Sequence, residues 1–335
     1  MIDLCYIAEK LFTPGKGILA ADESTTSANK RLIQYGILKD EKGSESVRRT
    51  FRDLLLATEG TQKYLSGVIL YSETLDQKAD DGTPFPELLL RKGIIPGIKV
   101  DEGLEPFPES PEESITKGLI GLPERLQHFK TTYGTGFTKW RAVITIDGTR
   151  LPTTKAIYEN ARRLAMYARN VQEAGMVPMV EPEVLLEGKH SIVRSGEVLK
   201  ETLTLLVAAL EDQSVDMCGV ILKTSMVLSG NKSGHMDTPE EVAESTLRVL
   251  METIPAKLGG VVFLSGGQST EQATENLRAI ATLARERKAP WPLTFSYARA
   301  LQDEALTAWA GKEENLPKAR EVFLERLQKE SSALG

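Results

Sequence analysis

The sequence predicts an α/β protein built as a closed (β/α)8 TIM barrel, a parallel sheet wrapped by helices. Three observations carry this. Short β-branched apolar segments alternate with helical patterns along the 335 residues. Polar residues recur at the ends of early and late strands alike, as they would if every strand opened onto one mouth. No Gly-x-Gly-x-x-Gly follows the first strand, which counts against the alternative, a doubly wound open sheet. The expected organisation is one barrel domain over residues 1–335, with an N-terminal docking helix (about 1–14) and a C-terminal helical extension (about 300–335).

The elements follow in order. Met1 to Phe12 carries Asp3, Glu9 and Lys10 among apolar residues at helical spacing, which suits a docking helix and not a secretory signal. Gly17-Ile18-Leu19-Ala20-Ala21-Asp22 reads as the first strand. Phe51, Leu54 and Leu55 then mark a helix around Val47 to Glu59. Gly67 to Tyr71 is the second strand, and the third ends in Gly97-Ile98-Lys99-Val100-Asp101. The segment Glu105 to Glu113, with Pro106, Pro108 and Pro111, reads as a loop, because proline withholds a backbone donor. Trp140 to Ile146 is the fourth strand, introduced by Lys139.

Lys155 to Glu173 has one apolar face and Gly175 placed to end it, a long helix. Val177 to Glu183 is the fifth strand, Glu197 to Leu210 a helix, and Cys218 to Val227 the sixth strand, carrying Lys223. Thr238-Pro239-Glu240-Glu241 opens a helix with a capping box. Gly260 to Gly267 is the seventh strand and its glycine turn. A helix starts near Ser269, Leu293 to Arg299 is the eighth strand, and helical patterns at Leu301 to Ala310 and Pro317 to Gln328 finish the chain.

Composition narrows the function. With 41% hydrophobic and 26% charged residues, a net charge of −6 and both signs interspersed, nothing points to nucleic acid or an anionic membrane. No apolar run is long enough to span a bilayer. The two cysteines, Cys5 and Cys218, lie far apart in sequence, which speaks against a disulfide framework and for a reducing, cytoplasmic setting.

The strand ends hold Asp22, Lys99, Glu181, Glu183, Lys223, Ser265 and Arg299. A lysine in an apolar run loses hydration, which lowers its pKa and makes its amine a nucleophile towards a carbonyl; the plainer reading packs its stem and leaves its head in water. Lys139 is the obvious second ammonium beside it. Glu181 and Glu183, two apart, point the same way on an extended backbone, as a proton-transfer pair or as two loop glutamates. Ser265-Gly266-Gly267 before a capped helix offers backbone N–H groups to an anion, and Arg299 can add a bidentate contact where such barrels hold phosphate. His128, His190 and His235 have no metal-ligand spacing and read as surface or loop residues, so no metal and no cofactor is expected. A Mg²⁺ held through substrate phosphates stays open.

These residues sit in specific motifs: Gly-Ile-Leu-Ala-Ala-Asp-Glu-Ser-Thr at 17–25, Lys-Ala-Asp-Asp-Gly at 78–82, Gly-Ile-Lys-Val-Asp at 97–101, Lys-Trp-Arg at 139–141, Val-Glu-Pro-Glu at 180–183, Leu-Ser-Gly-Gly-Gln-Ser at 264–269 and Leu-Thr-Phe-Ser-Tyr at 293–297. By them the chain, from about Gly15 to past Asn315, resembles a class I, Schiff-base fructose-bisphosphate aldolase. The resemblance implies reversible cleavage of fructose 1,6-bisphosphate to dihydroxyacetone phosphate and glyceraldehyde 3-phosphate. It makes Lys223 the nucleophile, Glu181 the group that exchanges protons with the carbinolamine, and Glu183 an electrostatic support. Asp22 would take the hydroxyl proton as the carbon–carbon bond breaks, with Lys139 stabilising the charge. Ser265, Gly266, Gly267 and Arg299 would hold one phosphate, and Ser24, Lys99 and Arg141 would line the other end. A homotetramer is also implied. Other readings are a Schiff-base aldolase for another ketose phosphate, such as sedoheptulose bisphosphate, and a non-catalytic phosphate-binding barrel.

The sequence departs from animal members of that family at Thr224-Ser225, where they have Pro-Asn, and at Ala298 and Thr26, where they have glycine. These substitutions bear on substrate preference. It also ends at Ser331-Ser332-Ala333-Leu334-Gly335, without the tyrosine-ended tail that assists enamine protonation there, so either another group or water serves that step or the enzyme is slower at it.

Overall fold

The computed structural model describes residues 3–40 and 44–335. Its strands in chain order are β1 (Gly17–Ala21), β2 (Leu65–Leu70), β3 (Ile95–Lys99), β4 (Leu104–Phe107), β5 (Ser110–Thr116), β6 (Phe137–Ile144), β7 (Val177–Val184), β8 (Ile221–Thr224), β9 (Gly260–Phe263) and β10 (Leu293–Tyr297). All but β4 and β5 pair in parallel and close into a barrel in the order β1-β10-β9-β8-β7-β6-β3-β2. The expected (β/α)8 barrel is what the chain forms.

Side chains fill the barrel from within, as its small diameter requires. Ile18, Ile69, Phe137, Met179, Ile221 and Val262 form an inner cluster with Ala8 and Leu11 of the N-terminal helix Leu4–Leu11, which plugs the end where the strands begin. Gly67 makes room for the plug: a Cβ there would lie 2.6 Å from the Leu11 side chain. A second, larger cluster, including Trp140, Tyr167, Phe263 and Phe295, lies between the strands and the surrounding helices. Truncating one such buried aromatic costs about 3–5 kcal/mol, because the rigid surroundings leave a cavity. Met1 and Ile2, included in the expected docking helix, fall outside the described residues.

Several expectations are corrected. The segment 105–113 is a hairpin, with Leu104 opposite Thr116 and Phe107 opposite Ser110. Its prolines fit because each strand has only one partner, so their missing donors fall on open edges or, for Pro108, in the turn. Lys139 lies inside β6, paired with Lys99 of β3 and Met179 of β7, two residues further into the strand than its apolar run suggests. Cys218 sits in a 3-10 turn before β8 and forms a disulfide with Cys5, the Cα atoms 5.0 Å apart. Separation in sequence misled here, because the N-terminal helix docks directly on the turn that leads into β8. Helices at Thr25–Gln34 and Leu122–Tyr133 had no clear sequence signal, and the helix expected at 197–210 runs from Ile192 to Asp212. No helix among the described residues is long and apolar enough to cross a membrane.

Candidate active site

The carboxyl ends of the barrel strands surround a cavity of about 810 Å³. Asp22, Ser24, Lys99, Lys139, Arg141, Glu181, Glu183, Lys223, Ser265, Gly266 and Arg299 all line it. Period two does the placing: Lys139 and Arg141 on β6, and Glu181 and Glu183 on β7, each send both side chains to the barrel interior.

At the floor, four charges alternate in a chain. Lys139 Nζ stands 2.6 Å from Asp22 Oδ2 and 3.1 Å from Glu181 Oε2, and Glu181 Oε1 is 3.1 Å from Lys223 Nζ. Lys223 is 4% exposed and Glu181 3%. Charges this dry persist only when paired. Burial alone would raise the Asp22 carboxyl, but the ammonium groups of Lys139 and Lys223, with a hydrogen bond from Lys139, outweigh it and bring it down to about 2. Burial likewise works against the Glu181 carboxylate, and Lys139, Lys223 and Arg141 overcome it to lower its pKa. Lys139, whose burial favours the neutral amine, is held protonated by Asp22, Glu181 and Asp101.

Higher on the wall, Arg141 pairs with Glu183 through Nε. Lys99 Nζ lies 2.6 Å from Asp101 Oδ1 and donates to the Asp101 carbonyl at 2.7 Å, while Asp101 Oδ2 accepts from the Arg141 backbone N–H at 3.3 Å. Asp101 therefore sets two of the predicted anion-facing cations at once. It closes the motif that carries Lys99, yet the sequence pattern alone does not assign it to the site. The signal is its two-residue spacing from Lys99. Ser27, whose hydroxyl accepts from Ser24 Oγ at 3.1 Å, also lines the cavity without having stood out in the sequence.

After β9, Gly266 (φ 58°) and Gly267 (φ 93°) make the left-handed turn that only glycine adopts without strain. The helix Thr270–Glu286 follows, capped by Ser269. Gly266 faces the cavity. Gly267 does not line it, and a Cβ at Gly267 would lie 3.4 Å from the Arg299 guanidinium. Arg299 is exposed on the rim and has no salt bridge among the described residues.

A family model described as fructose-bisphosphate aldolase class-I matches residues 3–335. The chain belongs to the class I fructose-bisphosphate aldolase family. It is 47% identical over 331 residues to fructose-bisphosphate aldolase 6, cytosolic, of Arabidopsis thaliana, covering 99% of this chain and 90% of that one. It is also 47% identical over 332 residues to the fructose-bisphosphate aldolase of Drosophila melanogaster, with 99% and 90% covered. The solved Plasmodium falciparum aldolase, crystallised with TRAP and a small-molecule inhibitor, superposes with a TM-score of 0.94 at 45% identity, covering 99% of this chain and 93% of that one. The activity is accordingly that of a class I aldolase, a lyase acting on a sugar bisphosphate.

Around this aldolase cavity the histidines stay outside. His190, read as a surface or loop residue, lies in the loop after β7 and is buried at 7% because it packs beneath the loop after β8, where its carbonyl accepts from Gly230 N–H at 2.8 Å. Burial, with Arg194 nearby, lowers its imidazole pKa.

Proposed function

We propose that this aldolase cleaves fructose 1,6-bisphosphate through a Schiff base on Lys223, and the observation that carries the proposal is the buried chain Asp22–Lys139–Glu181–Lys223. Glu181 accepts a proton from the Lys223 ammonium, freeing the amine to add to the ketone carbon. The same proton then leaves with the carbinolamine hydroxyl as water, giving a protonated imine. Asp22 takes the proton of the hydroxyl on the far carbon of the bond to be broken, the carbon that becomes the aldehyde. That bond's electrons move towards the imine nitrogen as the aldehyde product departs, leaving an enamine. Protonation of the enamine carbon and hydrolysis of the imine release dihydroxyacetone phosphate and restore the amine.

Asp22, low at about 2, is always ionised but weakly basic in the empty site. A substrate oxygen that draws Lys139 away raises its basicity at the moment of transfer, and Lys139 then faces the negative charge developing there. Glu183 is engaged by Arg141, so its support to Lys223 is through the shared field of that pair. Ser265, Gly266 and Arg299 hold one phosphate, with Gly267 shaping the turn; Ser24, Lys99 and Arg141 face the other. Two anchors fix the reacting carbons between them, and such orientation supplies up to roughly 7–11 kcal/mol of the barrier.

Plant relatives named cytosolic or cytoplasmic support a cytoplasmic setting, and a homo-oligomer is the assembly to test by light scattering. The chemical test is borohydride trapping. Reduction in the presence of dihydroxyacetone phosphate should inactivate the enzyme irreversibly and add the reduced three-carbon group to Lys223. A label on another lysine, or none, would refute the assignment.

A further inference from the structure

We infer that Gln268, held by Asn276, is a positioning residue that aims the Gly266 N–H at the substrate phosphate. The inference rests on the reading that the Ser265–Gly266 loop is a phosphate anchor. Nothing in the mechanism above uses Gln268 or Asn276, yet both side chains are buried, at 9% and 1% exposure. A buried amide is costly unless its donors and acceptor are met, so where they go is informative.

Gln268 Nε2 donates to the Ser265 carbonyl at 3.1 Å, and its own backbone N–H donates to the same oxygen at 3.0 Å. At the other end of the amide, Gln268 Oε1 accepts from Asn276 Nδ2 at 2.6 Å. The orientation of the amide follows from chemistry: a backbone carbonyl can only accept, so the group facing Ser265 must be the NH2 and the oxygen must face Asn276. Asn276 stands on the helix Thr270–Glu286, whose N-terminal cap is only one residue beyond Gln268.

The peptide plane turns this into function. In a trans peptide the carbonyl and the next N–H point in opposite directions. Two hydrogen bonds draw the Ser265 oxygen inward towards Gln268, so the Gly266 N–H on the same unit points outward, to the cavity that Gly266 lines beside Arg299. The glycine turn could relax by flipping that peptide, since glycine resists little. Gln268 removes the flipped state by leaving the carbonyl a partner on one side only.

Gln268→Glu is the sharp test, because it keeps the shape and the acceptor for Asn276 but replaces the donor with an oxygen that repels Ser265. With one charge-assisted contact to phosphate misaimed, KM for fructose 1,6-bisphosphate should rise roughly 10- to 100-fold while kcat falls less than about 3-fold. Arg299→Ala, assayed alongside, should raise KM too. If Arg299→Ala raises KM and Gln268→Glu does not, Gln268 is only a packing residue and the inference is overturned. If neither does, the phosphate reading of the loop fails with it. Should Gln268→Glu not fold, Asn276→Asp is read instead: its carboxylate draws the Gln268 amide hydrogens away from Ser265, and an unchanged KM there also overturns the inference.

Discussion

Lys139 Nζ lies 2.6 Å from Asp22 Oδ2, and this one ammonium also keeps Glu181 at 3.1 Å. It is the hinge of the site's electrostatics. Two carboxylates from β7 and from just beyond β1 approach each other in a nearly dry cavity, and the cation between them, with Lys223 on the far side of Glu181, makes that arrangement stable. The same contact links structure to chemistry, because the group that neutralises the resting site is the group that meets new negative charge during cleavage.

Lys139→Met should therefore do two things. It fills similar volume but strands Asp22 and leaves Glu181 with Lys223 alone, so kcat should fall by at least about 10²–10³. Stability should drop by about 3–5 kcal/mol at neutral pH, as breaking a buried pair by removing one partner does. Part of that stability should return on mild acidification, when a stranded carboxyl can take a proton. A denaturant series at several pH values reads all of this; a variant with wild-type stability throughout would mean that the chain of charges is not what holds the site.

The pH dependence has a definite sign. Asp22 is depressed in the folded state, from an ordinary value of 3.8 to about 2, so its contribution is present above about 4 and is lost as pH falls towards 2. The shift corresponds to about 2 kcal/mol. Glu181 is lowered as well, so its contribution has the same sign and is lost as pH falls below its ordinary carboxylate range. Lys139 is raised, so its contribution is complete below an ordinary lysine value of 10.5 and is lost only as pH climbs past its folded pKa. These are views of one network and do not add. Thermal midpoints of the wild type should fall more steeply between pH 4 and 2, by this linkage, than those of Asp22→Asn. Parallel slopes would contradict the pairing.

Much of this site is legible in the order of the residues alone. A strand end shows itself because apolar residues must stop where the sheet meets the cavity, and the polar residue found there repeats on strand after strand. Glu181, Glu183, Lys99 and Arg299 all declare themselves that way. Asp101 and Gln268 do not, since their work is done through hydrogen bonds to other residues' backbones, which no spacing rule reveals. The hairpin at 104–116 is hidden for a related reason: proline reads as a breaker unless one knows that its strand has a free edge. Lys139 shows the limit of apolar patterning, for a lysine inside β6 looks like a boundary until its partners in the barrel are known.

The two cysteines are the case where sequence distance misleads most, and they give the last prediction. Cys5 and Cys218 are separated by 213 residues, so their bond closes a loop that includes β1 to β7 and ties the N-terminal plug to the turn that enters the Lys223 strand. A cross-link over so long a loop stabilises mainly by restricting the unfolded chain, typically by about 2–4 kcal/mol. For a protein of this size that is worth roughly 3–6 °C in Tm. Without reductant, the denatured protein should show no free thiol; with reductant it should show both, and Tm should fall by that amount. Cys5→Ser should have the lower Tm in either condition and gain nothing from oxidation. Activity is expected to survive, because the bond lies at the end of the barrel opposite the Asp22–Lys139 pair. Two free thiols in the untreated protein, or a Tm indifferent to reductant, would show that the bond does not contribute.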